Sequence, residues 1–404
     1  MIKPVMLISF VLQSISCQFN GEQINKSNLS CEIKLAKDSI QFPLDTYPGG
    51  KYFFSQNTLL DGKKVIVTYN DQNSNVDILD FSDKKLLKTF TLFPDPNLKL
   101  SPVTGFYFHN LDSIFLMTNT KLALLNSTGA FHFNKWINVR RNDAVEGIDP
   151  DKLVFYNTPE NGCPLYFDQK ENAVYIATKA LSNRMDPLYY DYPLAGKINL
   201  SNFRYEPLPI YFLDEFKEEG FFPMDKPFIT FQSGNIVYGF PITPDIFVFD
   251  KGSSKITRYK QLLKNSSGSV EPLPLGAFGD EQSIMRHVSL NPSYHRIIPG
   301  DSYYFRFHMA SFEEDLKGRL GIRGPVWLTV YDDAFQLLIE TKVSDVSMIG
   351  SVGYNGGLLT WLRNPPNENA LHYAILQVHC PDAATGMLYP DHLPGSMQGN
   401  QPPE

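Results

Sequence analysis

The chain has 404 residues with a formal net charge of −7, and it contains 30 Phe, 21 Tyr, 29 Pro and 27 Gly. Because phosphate binding requires clustered Lys and Arg, and no long basic cluster occurs, the composition argues against a nucleic-acid partner. Abundant aromatic residues with Pro and Gly spread along the chain indicate a β-rich, turn-rich globular protein.

Residues 1–16 are predicted to be a signal peptide. Lys3 precedes an apolar run over residues 5–12, and small residues follow that run up to Cys17. The run covers about half of the ~20 residues that cross a bilayer, so it does not predict a transmembrane helix.

Cys17 is the predicted lipidation site. A short apolar region that ends in a small residue followed directly by Cys resembles the lipobox of bacterial lipoproteins, with Ser14 where that pattern usually has Leu. Residues 17–30 would then form a polar tether. The resemblance implies a lipid anchor in the cell envelope, at the outer membrane. The alternative is cleavage by an ordinary signal peptidase, which would release a secreted or periplasmic protein.

Residues 31–380 contain an internal repeat in which strands alternate with tight polar turns. The first turn of successive units is marked by Asp112, Asn172, Asn235, Asp301 and Gly356, at intervals of 60, 63, 66 and 55 residues. A period of about 60 residues suits four strands and their connections. With residues 51–70 as the start of the first unit, the chain has six units. We therefore predict an all-β fold, a six-bladed β-propeller with four-stranded blades.

The sixth unit ends early, because residues 371–380 would be only its third strand. The N-terminal segment 31–44 can supply the missing strand and close the ring. This pairing would bring Cys31 near Cys380, which leaves either a disulfide or two buried free thiols, with Cys163 left over. Residues 381–404 are predicted to be a C-terminal tail.

Two pairs of basic residues are candidate ligand-binding residues. Strand alternation predicts that Arg306 and His308 share one face, where the neighbouring blade would cover them. They would form either a structural ion pair or a ligand-facing site. Arg140 and Arg141 lie in a connection between blades, where they would contact an acidic ligand or belong to a solvated loop.

Three insertions depart from the repeat and are candidate binding loops, because long ordered loops on a rigid scaffold often carry function. They cover residues 179–195, 264–293 and 310–325. The first contains three tyrosines, which suit a sugar, peptide or protein surface.

The strand pairs "GFYFHNLDSIFL" and "YHRIIPGDSYYFRF", together with the lipobox-like start and the propeller pattern, resemble a family of Bacteroidota lipoproteins classed as a domain of unknown function. The resemblance implies the six-bladed propeller and a lipid anchor. It implies no activity.

The sequence contains no catalytic motif, and its cysteines lack the spacing of a zinc site, so no cofactor or metal is predicted. We favour a non-enzymatic propeller that binds a protein, peptide or glycan. The alternative is a metal-centred hydrolase or lactonase, which needs carboxylates and Asn converging on the ring axis. A third hypothesis is a structural subunit of an envelope assembly.

Overall fold

The computed structural model describes residues 22–24, 31–35, 40–43, 52–70, 73–93, 100, 103–118, 121–137, 153–155, 165–180, 187–217, 220–266, 270–311, 325–348, 350–362 and 370–380. Residues of the sequence analysis that lie outside these ranges are the signal peptide, Cys17, Arg140, Arg141, Cys163 and the C-terminal tail. Within them, no helix has the length and hydropathy needed to span a membrane.

Three short strands precede the blades, namely β1 (Glu22–Ile24), β2 (Glu32–Leu35) and β3 (Ile40–Pro43). Blade 1 consists of β4 (Tyr52–Leu60), β5 (Lys63–Asn70), β6 (Asn75–Asp80) and β7 (Lys85–Thr91). Blade 2 consists of β8 (Gly105–Asn110), β9 (Ser113–Met117), β10 (Lys121–Leu125) and β11 (Phe131–Trp136). Blade 3 consists of β12 (Leu153–Phe155), β13 (Tyr166–Asp168), β14 (Ala173–Ala180), β15 (Ala195–Asn199) and β16 (Tyr205–Pro207).

Blade 4 consists of β17 (Phe228–Phe231), β18 (Asn235–Gly239), β19 (Ile246–Asp250) and β20 (Lys255–Lys260). Blade 5 consists of β21 (Ser293–Pro299), β22 (Tyr304–Met309), β23 (Val326–Tyr331) and β24 (Leu337–Val343). Blade 6 contains β25 (Val352–Tyr354), β26 (Gly357–Trp361) and β27 (Ala370–His379). The described helices are α1 (Glu281–Leu290) and 3-10 helices at Pro187–Asp191, Asp214–Lys217 and Leu275–Ala277.

The predicted six-bladed β-propeller is confirmed. Each blade is an antiparallel sheet whose strands pair mainly in chain order. The innermost strands of neighbouring blades contact each other, so that β4 meets both β8 and β25. Blade 3 differs slightly, because β12 and β13 both pair with the inner edge of β14.

The ring closes as predicted, through strands from the N-terminal part of the chain. Strand β27 pairs with β26 on one side, and on the other it pairs with β2 near its end and with β3 near its start. The fourth strand of blade 6 is thus shared by two short segments. Cys31, immediately before β2, forms a disulfide with Cys380, with a Cα–Cα distance of 4.2 Å.

The predicted tether contains one described strand. Strand β1 pairs in parallel with β20, the outer strand of blade 4, with Glu22 opposite Arg258 and Ile24 opposite Lys260. An outer strand presents backbone N–H and C=O groups that another segment can pair with. Because such pairing uses the backbone, the polar sequence of this segment does not prevent it.

The short turns and the long connections lie on opposite faces of the ring. Within a four-stranded blade, the first and third turns meet at one end of the strands, which we call the turn face. The connections between second and third strands and between blades meet at the other end, the loop face. Since the three insertions connect β14 to β15, β20 to β21 and β22 to β23, all three begin and end at the loop face.

The core lies between the blades, because the middle strands of each blade are covered on both sides. In β22, alternation places Phe305 and Phe307 in the cluster shared with blade 6. Tyr304 contacts blade 4 instead, in a cluster with Val237 and Ile246. The predicted assignment of this strand's two faces is confirmed.

Candidate functional site

The candidate site is the central channel of the ring. The innermost parts of all six blades line a cavity of about 340 Å³ that is open to solvent. Its lining comprises Ser55, Gln56 and Asn57 of blade 1, Tyr107 of blade 2, Leu165 and Tyr166 of blade 3, Ile229, Thr230 and Phe231 of blade 4, Arg296, Ile298, Pro299, Gly300 and Asp301 of blade 5, and Val352 and Gly353 of blade 6. Because Gly300 and Asp301 lie in a short turn, the cavity extends to the turn face at blade 5.

Blade 1 is joined to both of its neighbours by amide side chains from β4. Gln56 donates from Nε2 to the carbonyl of Phe108 at 2.8 Å and accepts from the N–H of Phe108 at 2.9 Å. Asn57 donates from Nδ2 to the carbonyl of Gly353 at 2.9 Å. These bonds satisfy backbone groups of the neighbouring inner strands and fix the width of the channel.

Similar bonds connect blades 4, 5 and 6. Thr230 donates from Oγ1 to the carbonyl of Ile297 at 2.6 Å. Arg296 donates from Nη2 to the carbonyl of Ser351 at 2.7 Å. A Cβ atom on Gly353 would collide with the carbonyl of Pro299, so the inner strands of blades 5 and 6 approach closely only because this residue is glycine.

Aromatic rings and a buried ion pair connect blades 2, 3 and 4. The rings of Tyr107 and Tyr166 meet edge to face, with centroids 5.5 Å apart. Behind them, Lys251 Nζ lies 2.8 Å from Asp168 Oδ2 and 4.3 Å from the centroid of Tyr175. Burial would raise the pKa of Asp168, but Lys251 and two backbone N–H groups outweigh it and hold the pKa below its usual value. The rings of Tyr107 and Tyr166 are therefore supported by an ion pair in which the Asp168 carboxylate stays ionised.

The lining contains two charged side chains among the described residues, Arg296 and Asp301. Asp301 Oδ2 lies 2.9 Å from Lys64 Nζ, so its charge is paired. Within the described ranges, no three His, Cys, Asp or Glu residues form a group that could hold a metal ion.

Arg306 lies between blades 4 and 5, and it is not part of the channel lining. Its side chain is fully buried and donates to four backbone carbonyls: Nε to His295 at 2.9 Å, Nη1 to Pro244 at 2.5 Å and to Asp245 at 3.1 Å, and Nη2 to Phe240 at 3.1 Å. Burial lowers the pKa of this guanidinium. Arg306 therefore has structural contacts. Its partners are backbone carbonyls, whereas the predicted structural ion pair would have used a carboxylate.

His308, two residues further along β22, lies outside the channel too and is fully buried. Its Nε2 lies 3.3 Å from Glu340 Oε1. Burial would raise the pKa of Glu340, but His308 and the N–H groups of Lys264 and Asn265 outweigh it and lower the pKa. Glu340 accepts from these two N–H groups at 2.8 and 3.1 Å, so it holds the start of the 264–293 insertion on blade 5.

The tyrosines of the 179–195 insertion do not form the surface that the sequence predicted. Tyr189, Tyr190 and Tyr192 of the 179–195 segment are 4–5% exposed, so the prediction that they form a binding surface is wrong. They pack into the core cluster shared by blades 2, 3 and 4, where Tyr189 and Tyr190 contact Phe212. Aromatic rings bury a large apolar area, so these tyrosines stabilise the core.

The 264–293 insertion contains α1, which begins after Asp280. The Asp280 carboxylate caps the helix by accepting from the N–H groups of Gln282 and Ser283. No residue of α1 is buried. Most of the 310–325 insertion lies outside the described residues, as do Arg140 and Arg141.

Sequence reasoning missed the channel residues. A usable signal existed in "SQN" at 55–57, where three polar side chains interrupt the first strand of a blade. Buried polar residues are usually hydrogen-bonded, so a polar run in an innermost strand indicates bonds across to the next blade. The blades had to be assembled before Arg296, Tyr107 and Tyr166 could be placed in the lining of one cavity.

Comparison with known families shows which family the chain belongs to. Residues 30–342 match the family described as Domain of unknown function (DUF4221). The chain belongs to this family. A solved member from Bacteroides vulgatus has a similar structure, with a TM-score of 0.68 and 17% sequence identity, covering 86% of this chain and 99% of that one. The predicted membership of a Bacteroidota family of unknown function with a propeller fold is confirmed.

A second similar structure is that of a Bacteroides fragilis protein predicted to be exported. It has a TM-score of 0.48 and 12% identity, covering 89% of this chain and 98% of that one. The comparison with curated proteins found no match. The family match and the Bacteroides vulgatus structure show the family and the fold, and neither assigns an activity.

Proposed function

We propose that this protein is exported, anchored in the cell envelope through a lipid on Cys17, and binds a protein, peptide or glycan in the central channel of its propeller. The observation that carries the proposal is the cavity to which all six inner strands contribute. Its volume is at the lower end of the ~300–1,000 Å³ typical of ligand sites, which suits the end of a chain molecule.

The export part of the proposal is supported by the cysteine chemistry. Disulfides persist in oxidising compartments, and the Cys31–Cys380 bond joins the two ends of the propeller. The sequence before the propeller has the apolar run and small residues of a signal peptide.

A binding function is favoured over hydrolysis by the residue types in the lining. Asp301 is the single carboxylate among the described lining residues, and it is bonded to Lys64. Arg296 and the tyrosine pair offer polar groups and apolar surface, which is the mixture that orients a bound ligand.

We expect the protein extracted from membranes with detergent to have the mass of residues 17–404 plus three acyl chains on Cys17. A lipid on an N-terminal Cys would hold the protein in the membrane fraction, because each buried methylene contributes about 0.8 kcal/mol. Intact-mass spectrometry measures this directly. The Cys17→Ser variant should leave the membrane fraction or stay unprocessed, and a mature wild-type N-terminus without lipid would contradict the anchor.

For the channel, we expect binding to depend on Tyr107. Wild-type protein should bind members of an array of short glycans and peptides, and Tyr107→Ala should weaken that binding about tenfold or more, since a buried aromatic anchor contributes ~2 kcal/mol or more. The matched control is Trp136→Ala, because Trp136 is 69% exposed on the outer strand of blade 2. Equal losses in both variants, or no binding by the wild type, would overturn the proposed channel site.

A further inference from the structure

We infer that the connection between β20 and β21 contacts the lipid bilayer in which Cys17 is anchored. The inference rests on the proposed lipid anchor and adds the part of the propeller that meets the membrane. The contact is made by four exposed apolar residues of this connection, Leu262, Leu275, Phe278 and Met285. It follows from where the N-terminal segment joins the ring, from the length of chain before it and from the exposure of these side chains.

The N-terminal segment joins the ring at the outer edge of blade 4. Strand β1 pairs in parallel with β20, with Glu22 opposite Arg258. Cys17 is five residues before Glu22. At ~3.6 Å per residue for a fully extended chain, these two residues are separated by at most about 18 Å. A lipid on Cys17 therefore keeps the outer edge of blade 4 close to the bilayer.

Chain length alone leaves both ends of blade 4 within reach of the bilayer. At ~3.4 Å per residue, Lys255 at the turn-face end of β20 and Lys260 at its loop-face end lie about 10 and 7 Å along the strand from Arg258. The turns of blade 4 at the turn face are polar, with the sequences QSG at 232–234 and KGSS at 251–254. Nothing in these two turns suits the apolar part of a bilayer.

The loop-face end of β20 has the apolar side chains that the turn face lacks. Among the described residues, seven large hydrophobic side chains are exposed, and four of them belong to the connection that follows β20. Exposed apolar residues are normally scattered over a soluble protein, whereas a concentration of them marks an interaction surface. Leu, Phe and Met side chains suit the boundary between lipid headgroups and acyl chains. The loop-face end is therefore the end that meets the bilayer.

The connection is held against the loop face of blade 4 by specific contacts. Leu273 exchanges two backbone hydrogen bonds with Phe221, at 2.8 and 2.9 Å, and Phe221 lies in the connection that leads into blade 4. The ring of Phe278 packs on the ring of Phe221, with centroids 5.4 Å apart. In α1, His287 Nε2 lies 2.6 Å from the carbonyl oxygen of Glu271. The apolar side chains are thus presented from an ordered segment on the anchored edge of the ring.

The test measures whether a tryptophan in this connection enters the bilayer. Lipidated protein would be reconstituted in vesicles of phosphatidylethanolamine and phosphatidylglycerol, with or without bromine on the acyl chains, because bromine quenches tryptophan that lies among the chains. Met285→Trp places the probe in α1. Since interfacial apolar side chains reach the acyl boundary, the emission that this residue adds to the wild type should fall to about half or less in brominated vesicles.

Leu59→Trp is the matched control. Leu59 is 56% exposed and Met285 is 53% exposed, but Leu59 lies beside the first turn of blade 1, on the opposite side of the ring and at the turn face. Its added emission should be the same in both kinds of vesicle. Met285→Trp combined with Leu262→Ser and Leu275→Ser should be quenched less than Met285→Trp alone, because less apolar area enters the bilayer. Thermal unfolding would verify that each variant folds.

The outcomes separate this inference from the anchor itself. Equal quenching of Met285→Trp and Leu59→Trp in lipidated protein would overturn the membrane contact and leave the lipid anchor in place. Quenching that is unchanged by Leu262→Ser and Leu275→Ser would overturn the role of these side chains. Protein without acyl chains would overturn the anchor and the contact together, and its intact mass identifies that case before reconstitution.

Discussion

Replacement of Arg306 by Met is expected to lower the free energy of unfolding by about 3–5 kcal/mol, a cost typical of removing one partner of a buried charged network. The fully buried guanidinium donates to the carbonyls of His295, Pro244, Asp245 and Phe240. Met fills a similar volume but donates nothing, so four backbone carbonyls lose a donor, two of them in fully buried bonds. Urea unfolding followed by tryptophan fluorescence measures the change.

A second variant tests the same contact from the opposite side. A Cβ atom on Gly239 would lie 2.7 Å from Arg306 Nη2, so Gly239→Ala should displace the guanidinium and destabilise the protein too. The control is Arg204→Met, which removes an exposed arginine and should change stability by less than about 0.5 kcal/mol. If Arg306→Met unfolds at the same urea concentration as that control, the guanidinium does not join blades 4 and 5.

Removal of the disulfide by Cys31→Ser with Cys380→Ser is expected to cost about 2–5 kcal/mol, within the range measured for native disulfides. The bond spans 349 residues of sequence, so it restricts a long loop in the unfolded chain. It also holds β2 against the end of β27. Urea unfolding under non-reducing conditions measures the loss of stability.

Hydrogen exchange shows whether the disulfide stabilises blade 6 in particular or the whole propeller equally. Hydrogen exchange should accelerate first in β2 and β27, and much less in β14 and β15 on the other side of the ring. Wild-type protein treated with a reductant is the matched control and should behave like the double variant. An unchanged unfolding midpoint would show that the strands alone hold blade 6 closed.

The fold was predictable because its turns have a distinct chemistry. Residues such as Asn172 and Gly356 adopt positive φ values of 48° and 71°, and Asn and Gly are the residue types that tolerate this conformation. Their regular spacing revealed the blades. The incomplete sixth unit revealed the closing strand, because an unpaired edge needs a partner.

The side-chain partners were less predictable, because they depend on distances between blades. Alternation placed Arg306 on the correct face of β22, but three of the four carbonyls that it contacts belong to the connection between β18 and β19 of blade 4. Tyr189 and Tyr190 had the composition of a binding loop, whereas their burial depends on Phe212 of a different segment. Arg296 reaches the channel through a bulge, which disrupts the alternation that sequence reasoning relies on.

The closure of blade 6 has a consequence for the order of events in biosynthesis. Strands β2 and β3 leave the ribosome before any strand of blades 1–5, yet their partner β27 is the last of the described strands to be made. Blades 1–5 can pair their strands locally as they emerge, but the ring has to wait for the whole chain. Contacts between distant segments slow folding. A chain that crosses a membrane unfolded would therefore complete its propeller only after Cys380 has followed Cys31 across.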